Sequence, residues 1–225
     1  MRSLLKLFFP DQCQACDALL SRGEHLLCTD CRHNLPVNLL HYTTYNPIKK
    51  VLYGRVSLEL ATSLFYFDKK SRVQQLIHNL KYRNQEQISA FLGDWLGAEL
   101  AQVEAYQNID VVVPVPLHAN RLKERGYNQV AGFGQRIAKA LQIDYNDGVL
   151  YRKKATKTQV FSNRGGRSTE VIDSFGITED QSLKNKHLLL VDDLITTGGT
   201  LEGCALALNR IEGIKISVAV MAIAN

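Results

Sequence analysis

Leu188-Leu189-Leu190-Val191 is an unbroken apolar run that leads directly into Asp192 and Asp193. Such a run suits a strand buried on both faces, as in a parallel sheet covered by helices. Thr196-Thr197-Gly198-Gly199-Thr200 comes next, and Leu201, Cys204, Ala205 and Leu208 then repeat at helical spacing. The order is strand, tight loop, helix N-terminus. A loop of small and hydroxyl residues at that junction turns backbone N–H groups toward an anion, and the helix dipole adds its positive end. The stretch has neither the Gly-Lys-Ser/Thr of a P-loop NTPase nor the Gly-x-Gly-x-x-Gly of a dinucleotide turn. Carboxylates repel phosphate, so the acid pair ahead of this cradle suits sugar hydroxyls or a divalent ion. A phosphorylated sugar satisfies both halves.

The same thirteen residues resemble the phosphoribosyl pyrophosphate (PRPP) signature of type I phosphoribosyltransferases: apolar strand, two acids, apolar pair, Thr-Thr-Gly-x-Thr. The resemblance implies that Asp192 and Asp193 contact the ribose 2′- and 3′-hydroxyls. It implies that Thr196, Thr197, Gly198, Gly199 and Thr200 wrap the 5′-phosphate.

Four of the five cysteines fall in the first 31 residues, as Cys13-x2-Cys16-x11-Cys28-x2-Cys31. Two Cys-x2-Cys pairs a short loop apart can place four thiolates at tetrahedral corners, as a closed structural zinc site requires. Disulfides or a redox dithiol are the alternative, and a reducing compartment disfavours them. Leu4-Leu5-Lys6-Leu7-Phe8-Phe9 is too short and interrupted for a signal peptide or membrane span. The expectation is a cytoplasmic protein without membrane insertion. A 225-residue chain, 45% apolar and 22% charged, has room for one good-sized domain and a small satellite. The boundaries expected are 1–45 for a zinc-binding module, folded by its metal, and 46–225 for an α/β domain with a parallel sheet flanked by helices. The net charge of +5 permits a polyanionic partner.

Between these landmarks, Tyr42 to Arg55 reads as a linker, and Ser63 to Phe67 as a strand. Val73, Leu76, Ile77 and Leu80 mark a helix ending at Lys81 to Asn84; Ile88, Phe91, Leu92, Trp95, Leu96 and Leu100 mark a second, with Trp95 in the core. Ile109 to Val113 is a buried strand ended by Pro114 and Pro116. The following loop carries Arg121, Lys123 and Arg125 around Gly126, and Val130, Phe133, Ile137, Ala138 and Leu141 mark another helix. In an α/β sheet such a loop lines the crevice at the strands' carboxyl ends, so it should face the acid pair. A short strand is expected at Gly148 to Tyr151. Arg152, Lys153, Lys154, Lys157, Arg164 and Arg167 then lie within sixteen residues, around Gly165-Gly166. That composition suits a lid over an anion or a solvated surface loop. Ile214 to Ile223 reads as the last strand, and Cys204 as core.

Val113-Pro114-Val115-Pro116-Leu117-His118, followed by Arg121-x-x-x-Arg125-Gly126-Tyr127-Asn128-Gln129, is similar to the ComF (ComFC) family. Its members join a four-cysteine zinc module to a phosphoribosyltransferase domain. Leu80-Lys81-Tyr82-Arg83 and Thr158-Gln159 fit the same pattern, and with the cysteines and the PRPP motif the resemblance spans nearly the whole chain. ComF proteins are associated with natural transformation, where incoming DNA is a single strand.

PRPP carries a 5′-phosphate and a pyrophosphate on C1. Displacing the pyrophosphate builds positive charge on the ring as negative charge departs, so a phosphate anchor, a hydroxyl grip, and cations or Mg²⁺ at the leaving group are needed. Arg121, Lys123 and Arg125, or Arg152, Lys154, Arg164 and Arg167, are the candidates for the pyrophosphate. Mg²⁺ would arrive with the ligand. No residues that read a nucleobase edge can be assigned. Two readings stay open: a phosphoribosyltransferase with an unknown acceptor, or a non-catalytic module in DNA uptake that holds single-stranded DNA or a helicase partner, with Tyr42, Tyr45, Tyr53, Tyr82 and Tyr127 near its cations.

Overall fold

The computed structural model describes residues 10–153, 174–178 and 181–225. Its centre is a five-stranded, wholly parallel sheet. The strands are β1 (Ala61–Phe67), β2 (Val111–Pro114), β3 (Asp144–Tyr145), β6 (His187–Ile195) and β7 (Lys215–Ala224), in the order β1-β7-β6-β2-β3. A separate antiparallel ribbon joins β4 (Leu150–Arg152) to β5 (Phe175–Ile177).

The apolar run in β6 is buried on both sides. Leu189 and Val191 join one hydrophobic cluster, and Leu188 and Leu190 the other. The first cluster holds the buried residues of α3 (Arg72–Tyr82), α4 (Gln87–Leu100) and α6 (Ala131–Leu141). The second holds those of α2 (Pro47–Leu52), α7 (Gly199–Leu208) and the β4–β5 ribbon. A strand with no solvated face carries no alternation, so its sequence reads as continuous Leu and Val.

The expected strands and the helices α3, α4, α6 and α7 appear where their spacing placed them. Trp95 packs edge-on against Phe65 at 5.7 Å between centroids, and Cys204 is fully buried. Two segments differ from expectation. The presumed linker after Tyr42 contains α2, because Asn46 Oδ1 accepts the Ile48 and Lys49 N–H groups at 3.0 and 3.3 Å and Pro47 opens the helix. Ile48 and Leu52 bury its inner side. The presumed basic loop is largely a two-turn helix, α5 (Ala119–Arg125), capped where His118 Nδ1 accepts the Asn120 N–H at 3.2 Å and ended by Gly126 at φ +79°. Capping chemistry outweighs the scarcity of apolar residues there.

The four cysteines belong to a small unit around α1 (Thr29–Asn34), with isolated bridges Gln12–Leu19 and His25–Leu27. This unit rests on the sheet domain: Cys13, Leu27, Cys31 and Leu35 share a cluster with Phe65, Leu76 and Leu80, and Val37 bridges to Phe65. Among the described residues no helix is long and apolar enough to cross a membrane.

The helices α4 and α6 meet at backbone distance. A Cβ at Gly93 would stand 2.5 Å from the Phe133 carbonyl oxygen, a clash that no rotamer relieves. Gly93→Ala should therefore destabilise the protein by about 1–3 kcal/mol despite its better helix propensity. Urea unfolding checks this, and an unchanged midpoint would mean the two helices separate at no cost.

Candidate functional site

The acid pair lies at the carboxyl end of β6, beside β2 and β7. Pro114 is in register with Val191, and the Val115 N–H donates to the Val191 carbonyl at 2.9 Å, which brings the chain after β2 alongside the acids. Both carboxylates are buried, at 9% exposure for Asp192 and 5% for Asp193. Burial of this kind demands partners. Lys81 Nζ, from the last turn of α3, lies 2.7 Å from Asp193 Oδ1, and Gln129 Nε2 donates to Oδ2 at 2.8 Å. The Asp193 N–H donates to Asp192 Oδ1 at 2.8 Å. Removing one partner of such a buried pair costs about 3–5 kcal/mol, since the other charge is left uncompensated.

Asp192 is pushed up to about 8, first by burial and then by the charge of Asp193, against the opposing pull of the Asp193 N–H, Lys81 and Arg152. Burial and the neighbouring charge thus favour its protonated form beside the Lys81–Asp193 ion pair. One neutral carboxyl and one paired carboxylate form an edge that can both donate to and accept from vicinal hydroxyls.

The five-residue loop follows. Thr196 and Thr197 are exposed, and Gly198 adopts φ +78° as the residue before α7. A Cβ there would also lie 2.8 Å from Leu52 Cδ2 and 3.0 Å from Val51 Cγ1, so both conformation and packing call for glycine. Among the described residues no side chain caps α7, whose first N–H groups have no intrahelical acceptors. Arg55 braces the loop from behind. Its guanidinium donates to the Thr197 carbonyl at 2.8 Å and to Glu202 Oε2 at 2.8 Å, and also contacts the Val51 carbonyl. No local pattern marks Arg55, whose partners lie 142 and 147 residues away. Gln129 and Lys81 stood inside recognised motifs, but their attachment to Asp193 is a tertiary fact.

The candidate cations separate into groups. Arg125 donates to Gln129 Oε1 at 3.0 Å and stacks over the Tyr82 ring at 5.1 Å, so it is linked to Asp193 through one side chain. Arg152 sits over the Phe175 ring at 5.2 Å, close enough to Asp192 to pull its pKa down. Arg121 and Lys123 are exposed on α5. Among the described residues, the side chains bonded to Asp193 are Lys81 and Gln129, not Arg121 or Lys123. Lys154, Arg164 and Arg167 lie outside the described residues.

Alongside α3, the ligand atoms of Cys13, Cys16, Cys28 and Cys31 all lie within 4.8 Å of one another. Cys16 Sγ and Cys28 Sγ are 3.7 Å apart, close to the ~3.8 Å edge of a tetrahedron with ~2.3 Å metal–sulfur bonds. The Cys28 N–H points at Cys13 Sγ and the Cys31 N–H at Cys28 Sγ, each at 3.4 Å, as suits thiolate sulfur. Burial raises Cys13, but N–H groups of Cys28, Ala15 and Cys16, with the Cys16 thiol, outweigh it and bring the group down to about 7. Burial and the neighbouring thiols push Cys31 up. Four crowded thiols of this kind fit a metal ion that offsets their combined charge.

A family profile for the phosphoribosyl transferase domain matches residues 96–225. The chain belongs to this family. The DNA utilization protein YhgH of Escherichia coli strain K12 is 26% identical over 201 residues, covering 88% of this chain and 84% of that protein. Competence protein F of Haemophilus influenzae is 28% identical over 147 residues, 64% of each chain. Competence protein ComFC of Bacillus subtilis is 27% identical over 155 residues, 67% of this chain and 59% of that one. The ComF resemblance thus holds within the phosphoribosyl transferase family, and the parallel sheet with flanking helices is this family's α/β fold joined to a four-cysteine unit.

Two outcomes follow from the geometry. Because Asp192 has a higher pKa folded than unfolded, its stabilising contribution is whole below about pH 4 and is lost as pH rises through about 8. Ligand-free wild type should lose melting temperature over that interval, and Asp192→Asn should flatten this part of the profile; equal slopes would contradict the buried neutral acid. Mass spectrometry should find one metal ion per chain and Cys13→Ser should lose it, whereas a fully loaded variant would rule out a four-thiolate site.

Proposed function

We propose that the protein binds PRPP together with Mg²⁺ and that its site is built for phosphoribosyl transfer to a nitrogen nucleophile. The observation that carries this reading is the buried acid pair directly ahead of a braced glycine turn and an uncapped helix N-terminus. One side of the junction grips hydroxyls and the other attracts phosphate, the two needs of a ribose 5-phosphate. Asp192 and Asp193 hold the 2′- and 3′-hydroxyls. The backbone of Thr196 to Thr200 and the threonine hydroxyls hold the 5′-phosphate. Arg125, bonded to the Gln129 that holds Asp193, and Arg152, whose charge acts on Asp192, meet the departing pyrophosphate, with Arg121, Lys123, Lys154, Arg164 and Arg167 as the wider set. Mg²⁺, when bound, offsets pyrophosphate charge. Zinc in the four-cysteine cluster is structural, because four protein ligands leave no open position. The chain divides into the zinc module, 1–45, and the transferase domain, 46–225, and acts in the cytoplasm.

A second reading follows from the relatives' names, which speak of competence and DNA utilization. Tyr42, Tyr45 and Tyr53 expose 56, 66 and 87% of their surface, and Tyr82 65% beside Arg125, and such rings can stack on unpaired bases. On this reading the protein serves natural transformation as a module for single-stranded DNA or a helicase.

Calorimetric titration of PRPP with Mg²⁺ separates the two. Saturable binding to wild type that Asp192→Asn/Asp193→Asn loses, in a variant with an unchanged near-UV spectrum, supports the phosphoribosyl site. Absence of binding to wild type overturns it and leaves the DNA module as the reading.

A further inference from the structure

The helix α3 touches both chemical centres of the molecule. Three of its side chains hold the cysteine unit. Arg72 Nη1 pairs with Asp30 Oδ2 at 2.6 Å, next to Cys31 of the cysteine cluster. Gln75 Nε2 donates to Asp17 Oδ2 at 2.6 Å, one residue after Cys16. Asn79 Nδ2 donates to the backbone carbonyl of Gln14, between Cys13 and Cys16, at 2.9 Å, and to its side-chain oxygen at 3.3 Å. Asn79 is only 2% exposed, so its bond is shielded from water. Two residues further on, Lys81 reaches Asp193.

The contacts form one line. Asp17, Asp30 and Gln14 are each adjacent to, or within one residue of, a cysteine of the cluster. They engage α3 on successive turns, and Val73, Leu76 and Leu80 pack into the cluster that also contains Cys13, Leu27 and Cys31. The contact of Asn79 with the knuckle between Cys13 and Cys16 and the acid contact of Lys81 thus share the last turn of α3. Lys81 in turn supplies the charge against which Asp193 is held.

We propose that α3 is a strut through which the metal-loaded cysteine cluster sets the position of Lys81 and, through it, the carboxylate of Asp193. Lys81 is thus a positioning residue, and the cysteine unit supports the acid pair instead of forming a separate appendage. The ligand readout rests on the PRPP reading; a second readout does not.

The test uses the full chain. Gln75→Ala/Asn79→Ala cuts the strut from the knuckle and leaves the cysteines, Lys81 and the acids in place. With metal content measured and equal to wild type, its affinity for PRPP with Mg²⁺ should fall on the order of tenfold. Lys81→Met should fall at least as far, Lys81→Arg should recover most of the loss, and the triple variant should be little worse than Lys81→Met alone. Hydrogen exchange gives the second readout: the Asp193 amide, which donates to Asp192 Oδ1, should exchange faster in the strut variant than in wild type. Unchanged affinity with unchanged Asp193 exchange overturns the strut, as do strut and Lys81 effects that multiply. If wild type binds no PRPP, the PRPP reading falls and the exchange rate alone decides the strut.

Discussion

A carboxylate buried at the end of a fully covered strand must be compensated, and the pairing of Lys81 with Asp193 meets that demand. Much of the surrounding architecture serves to bring the two together. The α3 helix must run across the sheet so that its last turn reaches the end of β6. The segment after α5 must return to place Gln129 on the second oxygen. Ser89, at the start of α4, accepts the Phe133 N–H at 2.8 Å and donates to the Gln129 carbonyl at 2.6 Å, fixing the residue that fixes Asp193. Among the described residues Asp192 has no bonded cation, and burial beside Asp193 favours its protonated form, so the two acids sit in different electrostatic surroundings although they are neighbours in sequence.

The segment from β6 into α7 was legible because everything that defines it is local: an apolar run, two acids, a small-residue turn and a helical repeat. The four cysteines were legible for the same reason, since their spacing alone fits a tetrahedral site. Arg55 was not, since its only sequence context is a stretch that reads as a linker. The stretch reads as a linker because α2 is too short to show a period; Asn46 and Pro47 are its visible signals. At α5, three cations in seven residues suggested a loop, but His118 and Gly126 close both ends of a helix.

The pairing of Lys81 with Asp193 spans 112 residues and the brace of Arg55 spans more, so neither leaves a periodic trace. Local signals announced that a phosphate-binding turn and an acid pair exist. They said nothing of which distant side chains neutralise the acids or steady the turn. The family match covers residues 96–225, whereas both Lys81 and Arg55 lie before it. The portion of the chain that precedes the matched domain thus contributes directly to the candidate site.

The hold of Arg55 on the Thr197 carbonyl also settles a direction. In a trans peptide the C=O and the following N–H point to opposite sides of the plane. A carbonyl drawn toward α2 by the guanidinium therefore leaves the Gly198 N–H aimed away from it. By grasping the acceptor end of one peptide unit, an arginine on the rear of the turn orients the donor end toward the front, and a cation that need never touch an anionic guest helps shape the dipole that greets it.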